Sequence, residues 1–155
     1  MAEQTVKMTA QQIVNKLIAD EWIAEFTYDN MIHCIKGPAR DATERLFNHL
    51  SCEERNHKKE LITWMQAKGY PVNLNPTQML SGCNPSGRFV PFTDPITTRD
   101  AIKQNITSEI NAKNMYTLYY KAVEQLYPDL AFKFMKIAND ETEHRVELED
   151  LFSQV

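Results

Sequence analysis

Apolar positions recur along this chain with helical spacing in four long stretches. In the first, from about Thr9 to Lys36, Leu17, Ile18, Ala24, Tyr28, Met31, Ile32 and Ile35 follow one another mostly at three- and four-residue steps. Thr9 with Gln12 three residues on is a capping-box start, and Gly37-Pro38 is a stop. The second stretch runs from about Ala39 to Lys68, with Leu46, Phe47, Leu50, Leu61, Trp64 and Met65 on its stripe, and Gly69-Tyr70-Pro71 ends it. The third runs from about Thr98, read as its cap, to Leu126, with Ile102, Ile106, Ala112, Tyr116, Tyr119, Tyr120 and Val123 on or beside its inner face. The fourth starts at Pro128, a good first helical residue, and reaches Phe152 through Leu130, Phe134, Ile137, Leu148 and Leu151.

The connections predict the topology. A tight Gly-Pro turn makes the first two helices antiparallel neighbours, and Tyr127-Pro128 does the same for the last two. Residues 69–97 between the hairpins are too many for a bundle turn. They suffice to span the bundle, since a helix of about 28 residues is roughly 42 Å long. Within them Asn75-Pro76 predicts the cap of a short helix through Leu80. The expected fold is all-α: one domain over residues 1–155, a four-helix bundle of two antiparallel hairpins joined by a long crossover.

Acids and histidines interrupt the apolar stripes. Glu21 lies on the Leu17–Ala24–Tyr28 face, and Glu54 and His57 on the Leu50–Leu61 face. Glu109 lies between Ile106, Ala112 and Tyr116, and Glu141 and His144 between Ile137 and Leu148. An unpartnered buried charge is very costly, and several acids buried together repel. A bound dication resolves both problems. Glu54–His57 and Glu141–His144 are each Glu-x-x-His, so both side chains leave one helix face and can hold one metal between a carboxylate and an imidazole. One such tetrad is weak evidence, because helices are rich in glutamate. Two, with Glu21 and Glu109 on the other helices, make the di-iron carboxylate set of helix bundles. The heights agree: Glu21 and Glu54 are centred on Gly37-Pro38, and Glu109 and Glu141 lie close to symmetric about Tyr127-Pro128. Each pair falls roughly 25 Å from its turn.

The neighbouring Glu25, Glu53 and Glu143 read as a solvated face, and His33 and His49 as surface or interface residues. Trp22 and Trp64 read as packing residues. Tyr28 and Tyr116, each seven residues after a ligand candidate, read first as core residues with a satisfied hydroxyl. Hydrogen bonding to the site, or carrying an electron, is the alternative.

Composition narrows the class. The 155 residues carry 17 Lys and Arg against 21 Asp and Glu, a net charge of −4, with no basic arm at Met1–Met8. Nucleic acid is therefore not an expected partner. Cys34, Cys52 and Cys83 are odd in number and widely spaced, against a disulfide framework or a zinc site. No apolar run approaches 18 residues and no signal peptide is evident, so no membrane partner is expected and a reduced cytoplasm is the expected setting.

With these residues in view, the chain resembles the ferritin superfamily over almost its full length. Glu21, Glu54, His57, Glu109, Glu141 and His144 match the ferroxidase ligands of bacterioferritins and rubrerythrins. ADEWIAEFTYDNMIHCIKGP at 19–38 and IANDETEHRVELEDL at 137–151 look most like the Dps-like ferritins, also called thioferritins. The resemblance implies a ferritin-like bundle with two iron ions per subunit. It also implies a hollow 12-subunit shell, Fe(II) oxidation by peroxide or oxygen, mineral storage and protection against oxidative stress. The six residues would be both metal ligands and the catalytic set, with Glu54 and Glu141 bridging and Glu21 and Glu109 terminal.

Departures refine what is implied. Thioferritins carry two cysteines near the site; Cys83 stands at the first position, but the second is Asn111, so the pair is incomplete. Arg55 stands where bacterioferritins have their haem-ligating Met, so no haem is expected. Ala112 stands where rubrerythrins have a further Glu. The chain ends at Val155, just after the fourth helix, which favours the smaller shell. The competing functions are a rubrerythrin-like peroxide reductase without mineral storage and a DNA-protecting or structural shell.

Overall fold

Thr9 opens the first helix through a complete capping box. Its hydroxyl accepts from the Gln12 amide at 3.1 Å, and the Gln12 side chain accepts from the Thr9 amide at 3.0 Å. The computed structural model describes residues 6–82 and 95–155. The helices are α1 (Ala10–Met31), α2 (Arg40–Ala67), α3 (Pro76–Gly82), α4 (Thr98–Val123) and α5 (Pro128–Phe152). α1 packs along α2 and α4 along α5, giving the two expected hairpins.

Several boundaries differ from the spacing. α1 ends at Met31 rather than Lys36. The amides of His33 and Cys34 turn back onto the Asn30 and Met31 carbonyls, and Ile35–Lys36 becomes a two-residue strand, β1. It pairs in parallel with β2 (Ile96–Thr97), where the crossover returns. Ile35 is buried either way, so its apolar character fits both a helical stripe and this extended pairing. The cap of α4 is Thr97, whose side chain accepts from the Asp100 amide at 3.0 Å, one residue before the expected Thr98. Thr98 is buried and its hydroxyl donates instead to the Pro38 carbonyl at 2.7 Å. α4 stops at Val123, short of Leu126.

Two glycines serve the turns. Gly37 has φ +128°, and a Cβ there would stand 3.2 Å from Thr98 Oγ1, so the first hairpin's turn and the start of α4 approach closely only over glycine. Gly69 has φ +72° and ends α2 in a Schellman turn, with the Tyr70 amide on the Met65 carbonyl and the Gly69 amide on the Gln66 carbonyl. In the crossover, Asn75 caps α3 by accepting from the Gln78 amide at 3.2 Å, and the helix continues two residues past the expected Leu80. Cys83 lies outside the described residues.

The buried apolar residues form two clusters. The larger holds Ile13, Leu17, Leu61, Met65, Leu130 and Phe134 near the end where α1 and α4's partner begin. The smaller holds Tyr28, Met31, Phe47, Leu50, Ile102 and Leu148 toward the Gly37 turn. Trp22 and Trp64 pack with the larger cluster, as read. Between the two lies a layer that is buried but not apolar.

Candidate metal centre

Each of the four long helices delivers its part of that layer. α1 supplies Glu21, α2 Glu54 and His57, α4 Glu109, and α5 Glu141 and His144. All six are at most 3% exposed. The i, i+3 spacing puts Glu and His on one face in α2 and α5, and the His57 and His144 rings stack with centroids 5.8 Å apart.

The side-chain atoms converge on shared points rather than on each other. His57 Nδ1 lies 3.0 Å from Glu141 Oε1, 3.6 Å from Glu21 Oε2 and 4.0 Å from Glu54 Oε2. His144 Nδ1 lies 3.0 Å from Glu54 Oε1, 3.5 Å from Glu109 Oε2 and 3.9 Å from Glu141 Oε1. Despite these distances, one atom from each residue has no aligned hydrogen-bond partner: Glu21 Oε2, Glu54 Oε1, His57 Nδ1, Glu109 Oε2, Glu141 Oε1 and His144 Nδ1. Buried polar atoms are ordinarily bonded, and six orphans in one place call for a ligand. The donor atoms fall into two groups able to hold an ion: Glu21, Glu54, His57 and Glu141, and Glu54, Glu109, Glu141 and His144. Glu54 and Glu141 belong to both groups, Glu21 and Glu109 to one each. Carboxylate oxygen with one imidazole per group suits a divalent first-row ion.

Hydroxyls and a carboxylate outside the six fix their orientation. Tyr28 donates to Glu109 Oε1 at 2.6 Å and Tyr116 to Glu21 Oε1 at 2.5 Å. Both tyrosines are also core residues, so core packing and hydrogen bonding to the site hold together. Asp140 Oδ2 lies 2.9 Å from His57 Nε2, which turns Nδ1 toward the carboxylates. The sequence reading passed over Asp140; its place directly before the Glu-x-x-His pair of α5 was the signal. Buried Asn105 was also passed over; it interrupts the stripe between Ile102 and Ile106.

Glu25 is not on a solvated face as expected. It is largely covered and pairs with Lys58 at 2.7 Å and Arg55 at 3.0 Å, because α2 presents both cations to it. Glu53 stays at the surface, 3.9 Å from exposed His49, and Glu143 and His33 are exposed as read.

Electrostatics record the strain of the layer. Burial, then the charge of Glu141, pushes Glu54 well above the ordinary 4.5. Burial, then Glu109, does the same to Glu141. Burial also pushes Glu21 up, but the charge of His57 beside it and the hydrogen bond from Tyr116 outweigh it and hold Glu21 below 4.5. For His57, burial opposes the charged ring, yet Glu21 and Asp140 outweigh it and push it up to about 11. Burial, with Glu109 beside Tyr28 and Glu21 beside Tyr116, lifts both phenols well above 10.

Among the described residues no helix is long and apolar enough to cross a membrane. A comparison with curated protein sequences gives no match. Among solved structures, the chain is similar to a dodecameric thioferritin, the bacterioferritin-related protein of Bacteroides fragilis. The identity is 19% and the TM-score 0.84, over 92% of this chain and 83% of that one. It is similar to Dps from Listeria monocytogenes at 10% identity and TM-score 0.86, over 97% and 98% of the two chains. Dps from Staphylococcus aureus gives 14% and 0.81, over 92% and 93%. These likenesses concern the fold. At the level of sequence, residues 11–155 match the family described as a ferritin-like domain, which covers all four long helices and the whole polar layer, and the chain belongs to the ferritin family.

Proposed function

We propose that this protein binds two Fe(II) ions in the polar layer and oxidises them, as the first step of iron storage and detoxification. One observation carries the reading: six buried donor atoms without partners, from six residues on four helices, form two ion-sized groups that share two carboxylates. Four glutamates and two dications also balance in formal charge, which removes the mutual repulsion that, with burial, raises Glu54 and Glu141 well above 4.5. Glu54 and Glu141 would bridge, Glu21 with His57 and Glu109 with His144 would complete each ion, and no haem is involved.

As substrate, each Fe(II) gives up one electron. Hydrogen peroxide accepts two, its O–O bond breaks, and two hydroxide ions result. The protein's own part is to hold the pair at fixed separation and to let carboxyl protons leave as metal arrives. Family membership and the likeness to Dps and thioferritin folds support a closed homo-oligomer, a dodecamer by those parallels, as the container for ferric product.

The test is Fe(II) oxidation by peroxide, followed by iron counting on the purified particle. Crystals soaked in Fe(II) should show two anomalous peaks about 3.5–4 Å apart against Glu54 and Glu141. Hundreds of irons per particle supports storage, whereas turnover without retention would make the protein a peroxide reductase. Peaks elsewhere would remove the site assignment.

A further inference from the structure

Two recesses reach the carboxylate layer from the surface, and their linings are chemically opposite. The first, about 370 Å³, lies between α1 and α4 and ends on Glu21, Glu54, Glu109 and Glu141. Asp20, Thr27, Asn105, Thr107 and Ser108 line it, and none of its described lining residues is a cation. The second, about 130 Å³, lies between α4 and α5 and also touches Glu109 and Glu141, but Lys113 and Arg145 stand in its wall. Arg145 is itself 3.9 Å from Glu149.

Four polar groups of the larger recess have their protons committed elsewhere, while Gln104 and Asn111 add amides with both oxygen and N–H. Thr27 donates to the Ile23 carbonyl at 2.8 Å, Thr107 to Lys103 at 3.4 Å and Ser108 to Gln104 at 3.2 Å. A hydroxyl has one proton, so each of these offers only lone pairs to the cavity. The buried amide of Asn105 spends its donors on the Ala101 carbonyl at 2.8 Å and on Met31 Sδ at 3.3 Å. Its carbonyl oxygen alone is left as an acceptor. A lining rich in oxygen acceptors and free of cationic side chains, over a floor of carboxylates, suits a cation shedding water.

We propose that the α1–α4 cavity is the entry path of the divalent cation, a staircase of oxygen acceptors from the surface to the metal layer. The narrower α4–α5 recess, with both Arg145 and Lys113 in its wall, is not on that path. This rests on the reading of the layer as a two-metal site. In transit the ion exchanges water for hydroxyl and amide oxygen before it meets carboxylate.

The experiment uses Co(II), whose visible bands report binding, in stopped-flow loading and in chelator-driven release from the assembled protein. Thr27→Val with Ser108→Leu removes two acceptors without changing charge, and both positions lie outside the six-residue set. Loading and release should slow together, on the order of tenfold, with stoichiometry at two ions per chain and Kd within about twofold. A path variant slows both directions, whereas a site variant speeds release. Lys113→Gln should leave loading unchanged. If the double variant loads at the wild-type rate, or Lys113→Gln speeds loading, cations enter elsewhere and the proposal is overturned. If wild-type protein fails to bind two Co(II), the two-metal reading itself falls with it.

Discussion

Phe134 and Glu54 are equally sealed from water, at 0% and 1% exposure, yet burial acts on them in opposite directions. Phe134 fills the larger apolar cluster, edge-on to Tyr116 with centroids 5.7 Å apart, and leaving water stabilises the fold. Glu54 leaves water beside Glu141, Glu21 and Glu109, and burial together with their charges pushes its carboxyl well above the ordinary 4.5. The bundle thus devotes its ends to stability and its middle layer to a task that weakens it. A core that can afford such a layer must be well packed on both sides of it.

The sharpest way to break the contrast is to truncate one residue of each kind. Phe134→Ala should lower stability by about 3–5 kcal/mol, while folded protein still binds two ions. Its measurement is chemical denaturation plus metal titration. Glu54→Ala should do the reverse. Fe(II) oxidation should fall on the order of a hundredfold, because a shared carboxylate serves both ions, and the apo melting temperature should hold or rise as repulsion is relieved. If Glu54→Ala melts lower and keeps its rate, the glutamates are structural after all.

Acidity sharpens the contrast with a smaller effect. Glu54 and Glu141 are raised above 4.5 and His57 is raised to about 11, so the folded apo protein binds more protons than the unfolded chain between these values. The stability these three groups contribute is then fully present at the acid end and is lost as pH rises through that window. Glu21, which is lowered, acts only below 4.5, where its contribution is lost as pH falls. With Co(II) bound the slope should reverse, since metal competes with protons for the same atoms. Thermal melts across about pH 5 to 9, with and without metal, read the sign directly. An apo Tm that climbs with pH would show that the layer holds its charge without help.

The six layer residues were legible because their spacing and polarity clash with the stripes they interrupt, and i, i+3 pairing needs only one helix to be read. Asp140 was not, because its value depends on which face of α2 lies opposite. The same holds for Glu25, whose partners Arg55 and Lys58 come from another helix. Ile35 misled because an apolar residue at a helix end and one in a short strand look alike in sequence.

Asp140 also yields the smallest prediction. Asp140→Asn keeps the volume but loses the carboxylate that orients His57, so one of the two Co(II) ions should bind roughly tenfold more weakly while the His144 half is unchanged. Equal weakening of both ions would mean that Asp140 acts on the layer as a whole.

The strand pair at Ile35–Lys36 and Ile96–Thr97, with the Thr98–Pro38 hydrogen bond beside it, joins the turn of one hairpin to the first residue of the other. Helices slide past one another most easily by whole turns, about 5.4 Å each. A slip of that size would lift Glu109 out of reach of Glu54 while leaving most apolar contacts satisfied. The small bridge works as an alignment pin: it is set at the end of the bundle, but what it gauges is the coincidence of donor atoms at the middle.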